Sequence, residues 1–216
     1  MKKIMLAGIM ALSVMSASAQ EFKDVLAKTF WEFDTTATLD AKVDLSNKLV
    51  RISKKWDNEW AGHYYVAFSK ALMSYLETDP TKRDAYLDEA DKEREETVSI
   101  LKKETDETYV LGAMIANMRL AVDPMNRWSK YGKIFTDDLE SAKDLNPDNP
   151  RMYHLRGIST YHTPKAYGGG AKAALPYFEK AATLYDKETD RDITKPSWGK
   201  RMNAFYLVKC RQEAKE

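Results

Sequence analysis

Residues 139–147 read LESAKDLNP, and residues 178–186 read FEKAATLYD. Each stretch begins with a large apolar residue that is followed three positions later by an alanine, and a fainter copy, LDEA, occupies residues 87–90. Residues at this spacing share one face of a helix, where the small alanine lets a neighbouring helix approach closely. The self-similarity predicts an all-α fold that is built from repeated pairs of helices.

Three dipeptides mark the start of a helix, because each places a capping side chain before a proline that fits the first helical turn. They are Asp79-Pro80, Asp123-Pro124 and Asn149-Pro150. Between such marks the apolar residues recur at helical spacing, without the alternation that is typical of strands. The later helices are predicted at about residues 107–122, 126–145, 150–162, 171–187 and 197–213. Since the connections are short, neighbouring helices should form an antiparallel helix-hairpin stack.

The first 19 residues have the features of a secretory signal. Lys2 and Lys3 precede the uncharged apolar stretch 4–14, and Ala17-Ser18-Ala19 fits a signal peptidase. An uncleaved membrane anchor is the alternative, but the apolar run is short for a bilayer span. We therefore predict cleavage after Ala19 and export to the periplasm, or secretion from a cell with one membrane.

The exported chain should form a single helical domain, residues 20–216. Residues 20–37 are too apolar for a free tail and are predicted to be an N-terminal cap on the stack, since helical repeats need covered ends. No later segment is long and apolar enough to span a membrane.

Charge gives little reason to expect a polyanionic partner. The chain has 34 basic and 33 acidic residues, and cleavage would remove Lys2 and Lys3, which leaves a net charge near −1. Nucleic acid and anionic membranes are therefore not predicted partners. Cys210 is the single cysteine, so the chain cannot form an internal disulfide, and we interpret it as a small buried residue.

The paired pattern resembles the tetratricopeptide repeat, in which a first helix carries an aromatic residue and a Leu-Gly step, and a second carries large-x-x-Ala with a closing proline. Leu139, Ala142 and Pro147 match the second helix, whereas Tyr153 and Gly157 match the first only in part. The resemblance covers about residues 57–213. The copies lie further apart than the family period of about 34 residues. The resemblance implies a divergent TPR-like α-α superhelix.

Residues 163–170, TPKAYGGG, resemble the Pro-x-x-aromatic-Gly-Gly element of exported helical-repeat proteins, which include the helical accessory proteins of TRAP-type transporters. The resemblance implies a structural turn at Tyr167, Gly168, Gly169 and Gly170. Glycines permit positive φ, which we expect at Gly169 and Gly170, and Tyr167 is expected to fill the space beneath the turn.

No sequence motif indicates catalysis, a metal or a cofactor. His-Glu-x-x-His, Gly-x-Ser-x-Gly and a phosphate-binding loop are absent. His154 and His162 would lie about 12 Å apart along a helix, too far to share one ion. We therefore predict no enzyme activity, no bound metal and no cofactor.

The first helix of each pair should line a binding groove, where tyrosine and histidine combine an apolar body with a polar tip. The candidate groove residues are His63, Tyr64, Tyr109, Asn117, His154, Tyr161 and His162. The alternative for each is a place in the core. The leading hypothesis is a module that binds another protein or a peptide. A small-solute-binding or transport-accessory protein is the second, and an enzyme on a helical scaffold is the third.

Overall fold

The computed structural model describes residues 2–190 and 192–214, with side chains described from residue 18 onward. This part of the chain contains nine α-helices and no β-strand. The helices are α1 Lys2–Thr35, α2 Leu39–Lys55, α3 Trp60–Leu76, α4 Pro80–Leu101, α5 Asp106–Leu120, α6 Pro124–Leu145, α7 Pro150–His162, α8 Ala171–Tyr185 and α9 Lys200–Glu213. The predicted fold class, an all-α stack of helix pairs, is confirmed.

The proline-marked helix starts lie where the sequence predicts them. The Asp79 carboxylate accepts hydrogen bonds from the backbone N–H of Thr81 and Lys82, at 2.8 and 3.3 Å. Asp123 caps α6 in the same way, and the Asn149 side-chain oxygen accepts from the N–H of Arg151 at 3.0 Å. Each cap pairs an N–H group that has no partner within the helix, which fixes the first residue of the helix.

The N-terminal helix α1 contains both the predicted signal segment and the predicted cap. Side chains 1–17 lie outside the described residues, so the signal segment and its cleavage after Ala19 stay predictions. The second half of α1 buries Phe22, Leu26, Phe30 and Phe33, which recur at helical spacing. This face packs against α2 and α3, which places it at the start of the stack.

Helix α3 is the most deeply buried helix among the described residues, and every residue from 61 to 71 is buried. Most of its polar side chains have a partner: Ser69 bonds Ser46 at 2.8 Å, and Lys70 pairs with Glu89 at 2.6 Å, whereas the buried Tyr65 hydroxyl has none. Sequence spacing indicates α5 as the central helix, and α5 is indeed largely buried beside α3.

A close crossing joins α7 to α8 at Gly157. A Cβ added there would lie 2.7 Å from the Phe178 ring, closer than real carbon atoms approach. The missing side chain thus makes room for Phe178, which stacks on Tyr206 of α9 with ring centroids 5.3 Å apart. A second, smaller apolar cluster forms here and includes the buried Cys210.

The turn between α7 and α8 uses its glycines differently from the sequence-based expectation. Positive φ occurs at Gly168 (+82°) and Gly170 (+97°), not at Gly169. Gly169 is required for space instead, since a Cβ there would lie 2.0 Å from the Thr163 carbonyl oxygen. Tyr167 does not fill the space beneath the turn, because its side chain is 83% exposed.

The connection between α8 and α9, residues 186–199, folds back over the earlier helices. Ile193 and Trp198 are buried in the main core, and Asp192 pairs with Lys23 of α1 at 2.7 Å. The predicted start of α9 at residue 197 moves to Lys200 because Gly199 has a φ of +97°, which a helix does not allow. Among the described residues, no helix combines the length and apolarity that a membrane crossing requires.

Candidate functional site

Two of the predicted groove residues in α3 lie inside the protein. His63 is buried between α3 and α4, where its Nδ1 lies 2.7 Å from the Glu93 carboxylate and its Nε2 3.3 Å from the Asp57 carbonyl. The hydrogen bond to Glu93 raises the pKa of His63. Tyr64 is fully buried and donates a hydrogen bond of 3.0 Å to Glu107. Both side chains therefore join elements of the stack to one another.

His154, a third predicted groove residue, is covered by the α8–α9 connection. Its ring lies 6.5 Å from the Trp198 ring, and its Nδ1 lies 3.4 Å from the Asn203 side-chain oxygen. Burial lowers the pKa of His154 to about 4, so its imidazole is neutral at pH 7. Tyr109 and Asn117 of α5 are half-buried, and Tyr109 packs against the main core.

A buried ionic network lies below Trp198. The Arg151 guanidinium donates to Glu107 at 2.9 Å through Nε and to Glu188 at 2.8 Å through Nη2. Asn149 also donates to Glu107, at 2.7 Å. Because Arg151 and Glu107 each have several partners and Glu188 is paired with Arg151, the network holds the α8–α9 connection against α5 and α7.

A cavity of about 470 Å³ opens beside this network, in the size range of small-ligand sites. Its charged lining residues are Asp106, Glu107, Glu188 and Asp190 on the acidic side, and Arg151, Lys187 and Lys195 on the basic side. Arg151 already engages two carboxylates, and Lys195 pairs with Asp190. Asp106 and Lys187 stand outside these pairs, so the described lining has four acidic and three basic residues and no surplus of positive charge for an anionic ligand.

The remaining two predicted groove residues meet in a different place. Tyr161 and His162 end α7, and their rings lie 5.2 and 6.0 Å from the ring of Tyr206 in α9. The Phe205 ring lies 5.5 Å from the ring of Tyr206. Tyr75, at the end of α3, is close enough to Tyr206 to raise the pKa of its hydroxyl, after the larger effect of burial. We call these five residues the aromatic cluster.

The aromatic cluster presents apolar surface to solvent. Tyr75 is 51% and Phe205 59% exposed, and Met202 of α9 is also exposed one turn from Phe205. Isolated exposed apolar residues are ordinary, whereas a contiguous group beside a polar rim is typical of a binding site. Neither Tyr75 nor Phe205 is among the groove residues predicted from the sequence, and Tyr75 falls on an apolar stripe whose spacing is that of core positions.

Burial is the main influence on the protonation states of Tyr206 and His162 in the aromatic cluster. The Tyr206 hydroxyl lies 3.1 Å from Nε2 of His162. Burial first, and then Tyr75 and Tyr161, raise the pKa of Tyr206 to about 12, so this hydroxyl keeps its proton at pH 7. Burial and Lys209 lower the pKa of His162, so its imidazole is neutral. A neutral imidazole carries one N–H, so Tyr206 is the donor when the proton of His162 is on Nδ1 and the acceptor when it is on Nε2.

Charged groups border the aromatic cluster on α9. Lys209 Nζ lies 5.0 Å from the centre of the Tyr161 ring, and the Tyr161 hydroxyl donates to Glu213 at 2.8 Å. Over the described side chains, no three His, Cys, Asp or Glu residues gather closely enough to hold a free metal ion. The site thus offers flat aromatic faces, neutral hydroxyl and imidazole groups, and a cation at its edge.

Comparison with known proteins finds one informative neighbour. No protein-family model and no curated protein sequence matches the chain. A solved structure, the HusA haemophore from Porphyromonas gingivalis, aligns with a TM-score of 0.76 and 28% sequence identity. The alignment covers 90% of this chain and 95% of the haemophore chain.

This chain is similar to a haemophore. The similarity extends over nearly the whole of both chains, so it covers the helical stack rather than a single helix pair. The neighbour is a binding protein and not an enzyme. The resemblances to tetratricopeptide repeats and to TRAP-transporter accessory proteins stay predictions from the sequence.

Proposed function

We propose that this protein is an exported carrier that binds haem or a closely related porphyrin. The observation that supports the proposal is the alignment with the HusA haemophore over 90% of the chain. A binding role also agrees with the sequence, in which we found no catalytic motif. The periplasm, or the outside of a cell with one membrane, is the proposed location, on the basis of the predicted signal segment.

The aromatic cluster is the proposed binding site, because its chemistry fits a porphyrin. A porphyrin is a flat aromatic plate with two carboxylates on one edge, so its protein site needs apolar ring faces and a cation. Phe205 and Tyr75 supply exposed rings, and Lys209, whose Nζ lies 4.0 Å from the exposed Glu213 carboxylate, supplies a positive charge beside Tyr161. Aromatic side chains bury large areas with little loss of conformational freedom, which favours tight binding of a flat ligand.

The cavity beside Arg151 is the weaker alternative for this ligand. Its carboxylates at Asp106 and Glu188 would repel the porphyrin carboxylates at short range. The Arg151 guanidinium already bonds Glu107 and Glu188 and could meet a ligand carboxylate only by leaving one of them. Removing a partner from a buried ion pair is costly.

Binding of a partner protein is a second candidate function, and one feature of α6 favours it. Met125 is 85% and Trp128 67% exposed, and the two residues lie one turn apart on the same helix face. Tryptophan is enriched at the centre of protein interfaces. Crosslinking in the native compartment, followed by mass spectrometry, should recover a partner through lysines near Trp128 if this surface is used.

Titration of the purified protein with ferric haem tests the proposed function. We expect saturable binding, visible as a change in the main haem absorbance band and as quenching of tryptophan fluorescence. Phe205→Ala should weaken binding about tenfold or more, since an aromatic side chain contributes roughly 1.5–3 kcal/mol when buried against a ligand. Trp128→Ala, an exposed aromatic residue on α6, is the matched control and should bind as the wild type does.

The outcomes of this titration test separately whether the protein binds haem and whether the aromatic cluster is the binding site. Absence of saturable binding by the wild-type protein would overturn the haem proposal. Normal binding by Phe205→Ala, with weaker binding by a variant of the Arg151 cavity such as Lys195→Ala, would instead move the site to that cavity.

A further inference from the structure

We propose that the cavity beside Arg151 binds a short peptide with free ends, whose ammonium group pairs with Asp106 and whose carboxylate pairs with Lys187. This inference goes beyond the proposed carrier function and does not depend on it. The cavity shares no lining residue with the aromatic cluster, so the two sites are separate in the fold.

The walls of the cavity come from distant parts of the chain. Trp60 begins α3, residues 105–107 lie at the start of α5, and most of the remaining lining belongs to the α8–α9 connection. The ion pair of Arg151 with Glu107, whose side chains are 5% and 13% exposed, forms the buried wall. Because both groups are already held by several partners, this wall has its shape before a ligand arrives, as is usual for small-molecule sites.

Two opposite charges in the lining have no ion-pair partner among the described residues. The Asp106 carboxylate accepts hydrogen bonds from the side-chain amides of Asn146 and Asn149, at 2.8 and 2.9 Å, and both reach the same oxygen, Oδ2. Lys187 lines the same cavity from the α8–α9 connection. The other charged groups of the described lining pair with one another. The cavity therefore presents one carboxylate and one ammonium group with which a ligand can pair.

A ligand that carries both an ammonium and a carboxylate group complements these two charges. A neutral ligand would cover both charges without giving either a partner, and a ligand with a single charge would do the same to one of them. Either arrangement costs binding energy, because a charge that loses water needs a partner. The two ends of an unmodified peptide carry the required charges, and capture of a terminal amine or carboxylate is a recurrent mode of peptide recognition.

The size of the cavity limits the length of the peptide. A sphere of about 470 Å³ is about 10 Å across, and an extended chain spans about 3.3–3.6 Å per residue, so about two or three residues fit. Trp60 and Leu101, which are both half-buried, supply apolar contact for a side chain between the two ends. A tripeptide with an apolar central residue therefore matches the cavity.

Isothermal titration calorimetry at pH 7 with the tripeptide Ala-Leu-Ala tests the inference. Three forms are compared: the peptide with free ends, the N-acetylated peptide and the peptide with a C-terminal amide. We expect the wild-type protein to bind the free-ended form saturably below about 1 mM. Each capped form should bind at least tenfold more weakly, because each lacks one of the two ion pairs.

Two variants locate the ends of the peptide. Asp106→Asn keeps an acceptor oxygen for its amide partners, and it should bind the free-ended peptide at least tenfold more weakly, with no further loss when the peptide is N-acetylated. Lys187→Gln should behave in the same way towards the C-terminal amide. Such pairwise coupling would not arise from a general change in structure. Asp144→Asn and Lys172→Gln remove exposed charges outside the cavity and are the matched controls, which should bind as the wild type does.

Failure of the wild-type protein to bind the free-ended peptide, or equal binding of the free and capped forms, would overturn the inference. Normal binding of the free-ended peptide by a folded Asp106→Asn or Lys187→Gln protein would overturn it as well, since the ends would then lie elsewhere. Circular dichroism identifies a variant that has lost its fold, and the other variant then carries the test. Titration with haem is a separate measurement on the same protein, and its failure would remove the proposed function and leave this inference standing.

Discussion

The indole Nε1 of Trp198 donates a hydrogen bond of 2.8 Å to the hydroxyl of Tyr64, and this bond joins residues that are 134 positions apart in the chain. The Trp198 ring also lies 4.9 Å from the ring of Phe68, in the same helix as Tyr64. One side chain thereby fastens the connection before α9 onto α3. This contact holds the segment that precedes α9, while α9 itself packs on α8, where Asn203 donates to the Phe178 carbonyl at 3.0 Å.

Replacement of Trp198 should destabilise the whole stack. Trp198→Ala removes a buried aromatic side chain and should lower the free energy of unfolding by about 3–5 kcal/mol. Trp198→Phe keeps most of the packing but loses the hydrogen bond, which should cost about 1 kcal/mol. Denaturant unfolding followed by circular dichroism measures both.

Trp128→Ala is the matched control for Trp198, because Trp128 is 67% exposed. It should change the free energy of unfolding by less than about 0.5 kcal/mol. Equal effects of the two alanine variants would contradict the placement of Trp198 in the core.

Replacing each of two mid-helix glycines with alanine should change the free energy of unfolding in opposite directions. Gly157→Ala places a methyl group 2.7 Å from the Phe178 ring and should lower the free energy of unfolding by about 1–3 kcal/mol, since a close-packed crossing cannot expand freely. Gly132→Ala meets no atom within 4 Å and should raise it by up to about 1 kcal/mol, because alanine favours the helix. Thermal or denaturant unfolding of the two variants gives the comparison, and a stabilised Gly157→Ala protein would mean that α7 and α8 do not cross at this point.

The buried His154 should make the protein less stable in mild acid. Its pKa falls from an ordinary value of 6.5 in the unfolded chain to about 4 in the fold, so the unfolded state binds the proton more readily. Its contribution to stability is complete above pH 6.5 and is lost as the pH falls from 6.5 towards 4. The loss at pH 4 is about 3 kcal/mol, an order-of-magnitude value from the size of the shift.

His154→Leu isolates this effect, because leucine cannot be protonated. The difference in free energy of unfolding between wild type and His154→Leu, measured at pH 7 and at pH 4.5, should change in favour of the variant as the pH falls. His63 acts in the opposite direction in both proteins, since its raised pKa stabilises the fold at low pH and this contribution is lost as the pH rises. Parallel pH profiles of the two proteins would contradict a neutral, buried His154.

Local signals in the sequence were sufficient to predict the helices and most of their boundaries. A proline preceded by Asp or Asn starts α4, α6 and α7, because the proline ring and the capping side chain act on adjacent residues. Gly157, which matches the first helix of the repeat only in part, lies at a helix crossing, where its missing side chain leaves room for Phe178. The predicted groove was a weaker inference, since burial depends on which elements lie above a helix face.

Helical propensity, capping and apolar spacing are properties of residues close together in the chain, and for that reason the sequence alone determined an all-α stack of paired helices. The aromatic cluster was decided only by the tertiary structure. The tertiary structure brings together Tyr75, Tyr206 and His162, which belong to three separate helices. In the same structure the α8–α9 connection covers Tyr64 and His154. Contacts over such distances arise from the packing of the complete chain, because each of these side chains has the same local spacing whether it lies in a core or in a binding site.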